Sequence, residues 1–209
     1  MLAGLDLALL GQFALTCLII EITPGPNMAW LAVTSAVTGR RAGLMAVAGI
    51  ATGLAVIGVA AAFGLAALIS ASPVLWNVLR WGGVLWLLYL AWEAWTEADG
   101  EAEANDGRTW FSRGLITNLL NPKAAVFYVA MLPAFLTPTL PVLPQTLMLT
   151  AVFVVVATGI HAGIVIASGT LSHLLTDPVR SGRIRRTLAV LLVLVALWFA
   201  WSTRASGGG

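Results

Sequence analysis

Two short runs hold most of the polar chemistry of this chain. The first is Glu21-Ile22-Thr23-Pro24-Gly25-Pro26-Asn27 and the second is Asn118-Leu119-Leu120-Asn121-Pro122-Lys123. His161 adds an ionisable ring in a third, otherwise apolar stretch. A carboxylate, an ammonium, an imidazole and three carboxamides can exchange a proton and hold a small ligand that carries both charges. Glu21 can carry the proton, bind an ammonium, or pair with Lys123. Lys123 can hold a carboxylate or balance Glu21. Asn27, Asn118 and Asn121 each donate and accept hydrogen bonds, so they either satisfy backbone groups freed by the prolines or bind a zwitterion. Thr23 and Gly25 would assist through hydroxyl and backbone contact. His161, with an unperturbed pKa of about 6.5, is a proton shuttle or a satisfied core residue.

These residues must be held by elements that lie in lipid. The chain has 209 residues, of which 59% are hydrophobic and only 10% charged, with mean hydropathy +0.93. A soluble domain carries about 25% charged residues, so this chain cannot cover a water-facing surface. Six spans of about 20 apolar residues each can be read, near Leu7–Val33, Leu44–Ile69, Val74–Trp95, Leu115–Leu136, Leu143–Leu171 and Thr187–Ser202. The last is short, about 24 Å at about 1.5 Å per residue, so it begins earlier or thins the bilayer. The expected fold is an all-α membrane protein with broken first and fourth spans. Proline removes a backbone N–H and clashes with the preceding turn. Orphaned backbone groups in hydrocarbon cost several kcal/mol unless protein or water satisfies them. A charge at that depth adds about 2.5–3.5 kcal/mol on insertion scales. Broken helices at corresponding places in two halves of a chain point to the central site of a transporter.

Eight arginines, Arg40, Arg41, Arg108, Arg113, Arg180, Arg183, Arg185 and Arg186, follow the first, third and fifth spans, against Arg80 and Arg204 on the other side. The positive-inside rule then puts both termini outside the cytoplasm. Residues 1–95 read as a first three-helix repeat, 96–113 as a cytoplasmic linker, 114–203 as a second repeat and 204–209 as a flexible tail. Three spans per half reverse the second half, so the Pro24 and Pro122 motifs would be related by inversion. Gly49 and Gly53 form a small-xxx-small pair that permits close helix approach. Most tryptophans sit near span ends, as interfacial anchors do. His173, Asp6 and Glu93 also fall near span ends and read as interfacial or structural. Tyr89, Phe127 and Tyr128 read equally as pathway or packing.

Several classes are disfavoured. The net charge of +2 lies in short loops and does not suggest nucleic acid. The single cysteine, Cys17, permits no disulfide framework and reads as packing. No Walker motif appears, so energy would come from a gradient. A metal-ion transporter is the alternative, but hard cations need several oxygens and soft ones Cys or His. An enzyme lacks paired carboxylates within a span. No cofactor or metal site is expected, and no signal peptide is evident. A homodimer is the expected assembly.

At these motifs the chain resembles the LysE/RhtB family of amino-acid exporters. The matching text is Thr23 to Asn27, Gly39-Arg40-Arg41-Ala42-Gly43, Trp81 to Leu90, Phe111 to Gly114, Asn118 to Ala124 and Leu132-Pro133-Ala134-Phe135. The resemblance runs from about residue 5 to 203 of the chain. It implies a six-span bacterial inner-membrane protein that exports amino acids or close derivatives, driven by the proton gradient. The family takes basic, neutral and hydroxylated amino acids, so the substrate stays open. Relatives often carry an acidic residue near His161, so a carboxylate relay does not carry over. The expected mechanism is alternating access, with substrate bound by Thr23, Pro24, Gly25, Pro26, Asn27, Asn118, Asn121, Pro122 and Lys123, and Glu21 or His161 exchanging the proton.

Overall fold

The computed structural model describes residues 5–22, 25–64, 72–96, 107–169 and 178–202. The described residues are helical almost throughout. Helices α1 (Leu7–Ile22) and α2 (Pro26–Thr38) make the first pair, followed by α3 (Arg40–Ala62) and α4 (Pro73–Thr96). Helices α5 (Gly107–Leu119) and α6 (Pro122–Val126) come next. A π-helical turn at Phe127–Met131 and a 3-10 turn at Leu132–Phe135 follow, then α7 (Val142–Gly169) and α8 (Pro178–Ser202). Within the helices the backbone groups pair along the segment, as hydrocarbon requires.

Three helices are long and apolar enough to cross a membrane unbroken: Arg40–Ala62, Pro73–Thr96 and Val142–Ser168. At about 1.5 Å per residue they reach about 34–42 Å. Two bent helix pairs pass the same test of length and hydropathy when each pair is taken together. The axes of Leu7–Ile22 and Pro26–Thr38 differ by 63°, and those of Gly107–Leu119 and Lys123–Phe135 by 51°. Helix α8 starts at Pro178, ahead of the expected Thr187, and its first two turns are polar. Its apolar stretch is only Ala189–Trp198. The outer faces carry exposed Leu15, Ile19, Val56, Val155 and Leu194. A water-soluble monomer rarely exposes so much apolar surface. The chain is an all-α, multi-span membrane protein.

Pro26 and Pro122 each begin a helix. Pro26 is the first residue of α2, after extended Gly25 (φ −153°, ψ 175°), and Pro122 is the first residue of α6, after Asn121. Proline suits that position because the missing N–H would have had no partner anyway. The Asn121 side chain accepts from the Lys123 N–H at 3.0 Å, an N-cap within the membrane. The span expected from Leu115 starts at Gly107, inside the stretch read as a linker, so residues 107–113 are helical.

Small residues set the central crossing. A Cβ on Gly49 of α3 would strike the Phe111 carbonyl of α5, and one on Gly114 of α5 would strike the Ala46 carbonyl of α3. Gly49 thus allows backbone-to-backbone approach, whereas Gly53 makes room for the Asn118 side chain. Helix α7 packs on α1, α2 and α3, while α4 packs on α8. Arg186 of α8 stands over the Trp95 ring near the end of α4, 5.7 Å from its centroid, and Arg113 of α5 pairs with Glu93 of α4. The C-terminal end of α4 and the arginine-bearing starts of α5 and α8 thus share one side. At the other side Arg80 donates to the Ala200 carbonyl.

Candidate functional site

The two breaks face each other. Asn27, in the first turn of α2, donates through Nδ2 to Asn118 Oδ1 of α5 at 2.9 Å. Both side chains are buried, and neither Asn27 Oδ1 nor Asn118 Nδ2 has a partner. An amide pair joined by one bond leaves an acceptor and a donor free of protein partners, and leaving a buried polar group unpaired costs about 1–3 kcal/mol.

The charges collect beside it. Lys123 Nζ lies 3.8 Å from Glu21 Oε1, and His161 Nε2 lies 3.4 Å from Glu21 Oε2. Glu21 comes from the last turn of α1, Lys123 from the first turn of α6, and His161 from the middle of α7. Glu21 and His161 are buried, and Lys123 is partly so. The His161 contact is close but lacks hydrogen-bond geometry, and both ring nitrogens are without hydrogen-bond partners. Thr158, one turn earlier on α7, also has a buried hydroxyl without a partner. One carboxylate between an ammonium and an imidazole can pass a proton to the ring or keep the lysine charge balanced.

A small cavity of about 10 Å3 joins these groups, lined by Glu21, Gly25, Asn27, Asn118, Lys123 and His161 with Asn121, Met28, Leu54 and Ala124. A volume of that order holds about one water, so the chamber is closed around its own polar groups. Glycine at 25 admits the lysine: a Cβ there would sit 3.3 Å from Lys123 Cδ.

Of the residues expected at the site, Glu21, Gly25, Asn27, Asn118, Asn121, Lys123 and His161 line this chamber. Pro26 lies apart from it, on a second small cavity with Gly83, Trp86, Thr117 and Asn121. Thr23 and Pro24 lie outside the described residues, as does His173. Pro122 contributes the start of α6. Met28 and Leu54 also line the chamber and carry no sequence signal for it. Tyr128 is core: its hydroxyl donates to the Leu54 carbonyl at 2.9 Å, and Phe127 stacks on Phe153 at 3.8 Å. Tyr89 is exposed and stacks on Trp86. Among the described residues no three His, Cys, Asp or Glu side chains gather where a metal ion could be held.

Comparison with known proteins finds relatives over nearly the whole chain. The chain is 27% identical over 198 residues to the homoserine/homoserine lactone efflux protein of Salmonella typhimurium strain LT2, covering 92% of this chain and 96% of that relative. The Salmonella typhi protein of the same name gives the same identity and coverage. The leucine efflux protein of Klebsiella pneumoniae is 36% identical over 123 residues, 56% of this chain and 58% of the relative. No solved structure matches the chain. A family model, LysE type translocator, matches residues 18–203. The chain belongs to the LysE type translocator family.

Proposed function

We propose that the protein is a secondary exporter of small neutral amino acids or close derivatives across the bacterial inner membrane, coupled to protons and working by alternating access. The observation that carries this reading is the facing of two broken helices across a chamber that holds both charges and a half-bonded amide pair. A zwitterion would place its carboxylate toward Lys123 and Asn118 Nδ2, and its ammonium toward Glu21 and Asn27 Oδ1. Each ligand charge would then meet an opposite charge and a complementary dipole, which offsets desolvation. Relatives named for homoserine, its lactone and leucine support a small, uncharged substrate side chain.

Glu21 and His161 are proposed as the proton-exchanging pair. When substrate ammonium occupies the carboxylate, the imidazole beside it is the nearest base. Substrate and proton would then compete for Glu21, as coupled antiport requires. An inverted repeat is also part of this reading. Spans three places apart in the chain pack together: α3 with α7, α4 with α8, and the first break with the second. A two-fold axis in the membrane plane would produce that pattern. In this orientation the arginine-rich side faces the cytoplasm and both termini face away from it.

The test is transport in proteoliposomes with labelled leucine, homoserine, homoserine lactone and lysine under an imposed pH gradient. Gradient-dependent movement of a neutral substrate supports the proposal. Movement of none of the four would end it.

A further inference from the structure

We propose that the Glu93–Arg113 pair and the cavity beside it form a second amino-acid site, a vestibule in which an aliphatic zwitterion inserts between the two charges before reaching the chamber. This rests on the export reading for its direction of travel, and its chemistry stands on a separate set of residues. Arg113 Nη2 of α5 donates to Glu93 Oε1 of α4 at 2.5 Å, with side chains 15% and 18% exposed. The pair is therefore largely withdrawn from water yet still reachable.

Beside it lies a cavity of about 50 Å3, larger than the chamber, lined by Trp30, Val33, Val37, Leu90 and Trp110 with Thr34. The walls are mostly apolar, with Thr34 and Thr38 among them, and the Glu93–Arg113 pair sits at their edge; the space takes part of an aliphatic side chain, and the rest of an amino acid would fit as the pair opens. Its ammonium would take Glu93 and its carboxylate would take Arg113 as the two protein charges part. Charge stays paired throughout, so no buried ion is left alone. A ligand with a single charge would engage only one member of the pair and bind more weakly than a zwitterion. The Arg113 guanidinium lies over the Trp110 ring, 5.0 Å from its centroid, which orients the planar donor fork for a carboxylate.

The vestibule and the chamber are carried by the same two helices. Arg113 and Asn118 are on one helix, about 7.5 Å apart along its axis at about 1.5 Å per residue. Thr34 and Asn27 are likewise on α2, and buried Trp30 stands between them, one turn from each.

The test uses the full chain. Equilibrium dialysis of detergent-solubilised protein with labelled L-leucine is expected to give two sites per chain for the wild type, and one each for Lys123→Ala and for Glu93→Gln/Arg113→Gln. In proteoliposomes the Glu93→Gln/Arg113→Gln variant is expected to raise KM about tenfold with Vmax near wild type, as loss of charged hydrogen bonds implies. Val37→Trp fills the cavity without touching the pair and is expected to raise KM likewise. L-leucinamide and 4-methylpentanoate, each lacking one charge, should not displace leucine from Lys123→Ala. A monodisperse Lys123→Ala protein that binds no leucine, displacement by either analogue, or wild-type KM in both vestibule variants would overturn the proposal. A wild type that binds two leucines but exports none would instead fail the export reading alone.

Discussion

Lys123 lies directly across from Gly25, so that the missing side chain of one break makes room for the charged side chain of the other. The two motifs sit almost a hundred residues apart in sequence, yet each is shaped to the other. A Cβ at Gly25 would approach Lys123 Cδ at 3.3 Å, tighter than an ordinary contact. Gly25 is extended rather than left-handed, so alanine fits its backbone. Gly25→Ala should therefore fold normally and lower export about tenfold by moving the ammonium, as small displacements at a binding constellation can. Gly25→Val should abolish it. Initial rates in proteoliposomes, with thermal melts as the folding control, check both.

The Glu21–Lys123 pair gives a test in which stability and activity separate. Lys123→Ala leaves a carboxylate deep in the protein, and Glu21→Gln leaves an ammonium. Breaking one side of a buried pair costs about 3–5 kcal/mol, whereas removing both charges costs much less. Each single variant should lose export while remaining inserted. The Glu21→Gln/Lys123→Met double variant should melt above Lys123→Ala yet still be inactive. Near-normal transport by either single variant would remove that residue from the mechanism.

His161 is predicted to couple rather than to bind. Its ring nitrogens make no hydrogen bond, and Glu21 Oε2 is 3.4 Å away. His161→Gln should retain substrate exchange between equal pools and lose the response to an imposed pH gradient. Counterflow and gradient-driven uptake measured on the same vesicles distinguish the two. Loss of both together would make the ring a structural part of the chamber.

Two glycines on different helices should respond in opposite directions. Gly49→Ala drives a methyl into the Phe111 carbonyl, with backbone on both sides of the clash. Overpacking of this kind typically costs about 1–3 kcal/mol. Gly163 on α7 has open space where a Cβ would point. Gly163→Ala should stabilise by about 0.5–1 kcal/mol through helix propensity. Thermal melts in one detergent read both, and a stable Gly49→Ala protein would refute the close crossing.

The breaks were legible because proline, glycine and asparagine act locally: Pro26 and Pro122 announce helix starts wherever the helices lie. The helical onset at Gly107 and the polar turns of α8 from Pro178 were not. Hydropathy finds the part of a helix that sits in lipid, and polar helix looks like linker on that measure. The meeting of Glu21 with His161 spans a separation for which no local signal exists. Met28 and Leu54 line the chamber because of crossing angles, which residue identity does not encode. Glu93 and Arg113 each read as ordinary water-facing charges near span ends. Only the packing of α4 against α5 reveals them as partners.

Gly39, at φ +90°, is the one residue between α2 and α3. So short a leash lets the second half of the first broken helix swing only if α3 follows it. Helix α3 is in turn clasped to α5, which belongs to the other half of the chain. The bodies that shift during a transport cycle would then be drawn from both halves. Cross-links between α3 and α5 should be tolerated by a working protein, whereas a tether from α2 to α7 should stall it.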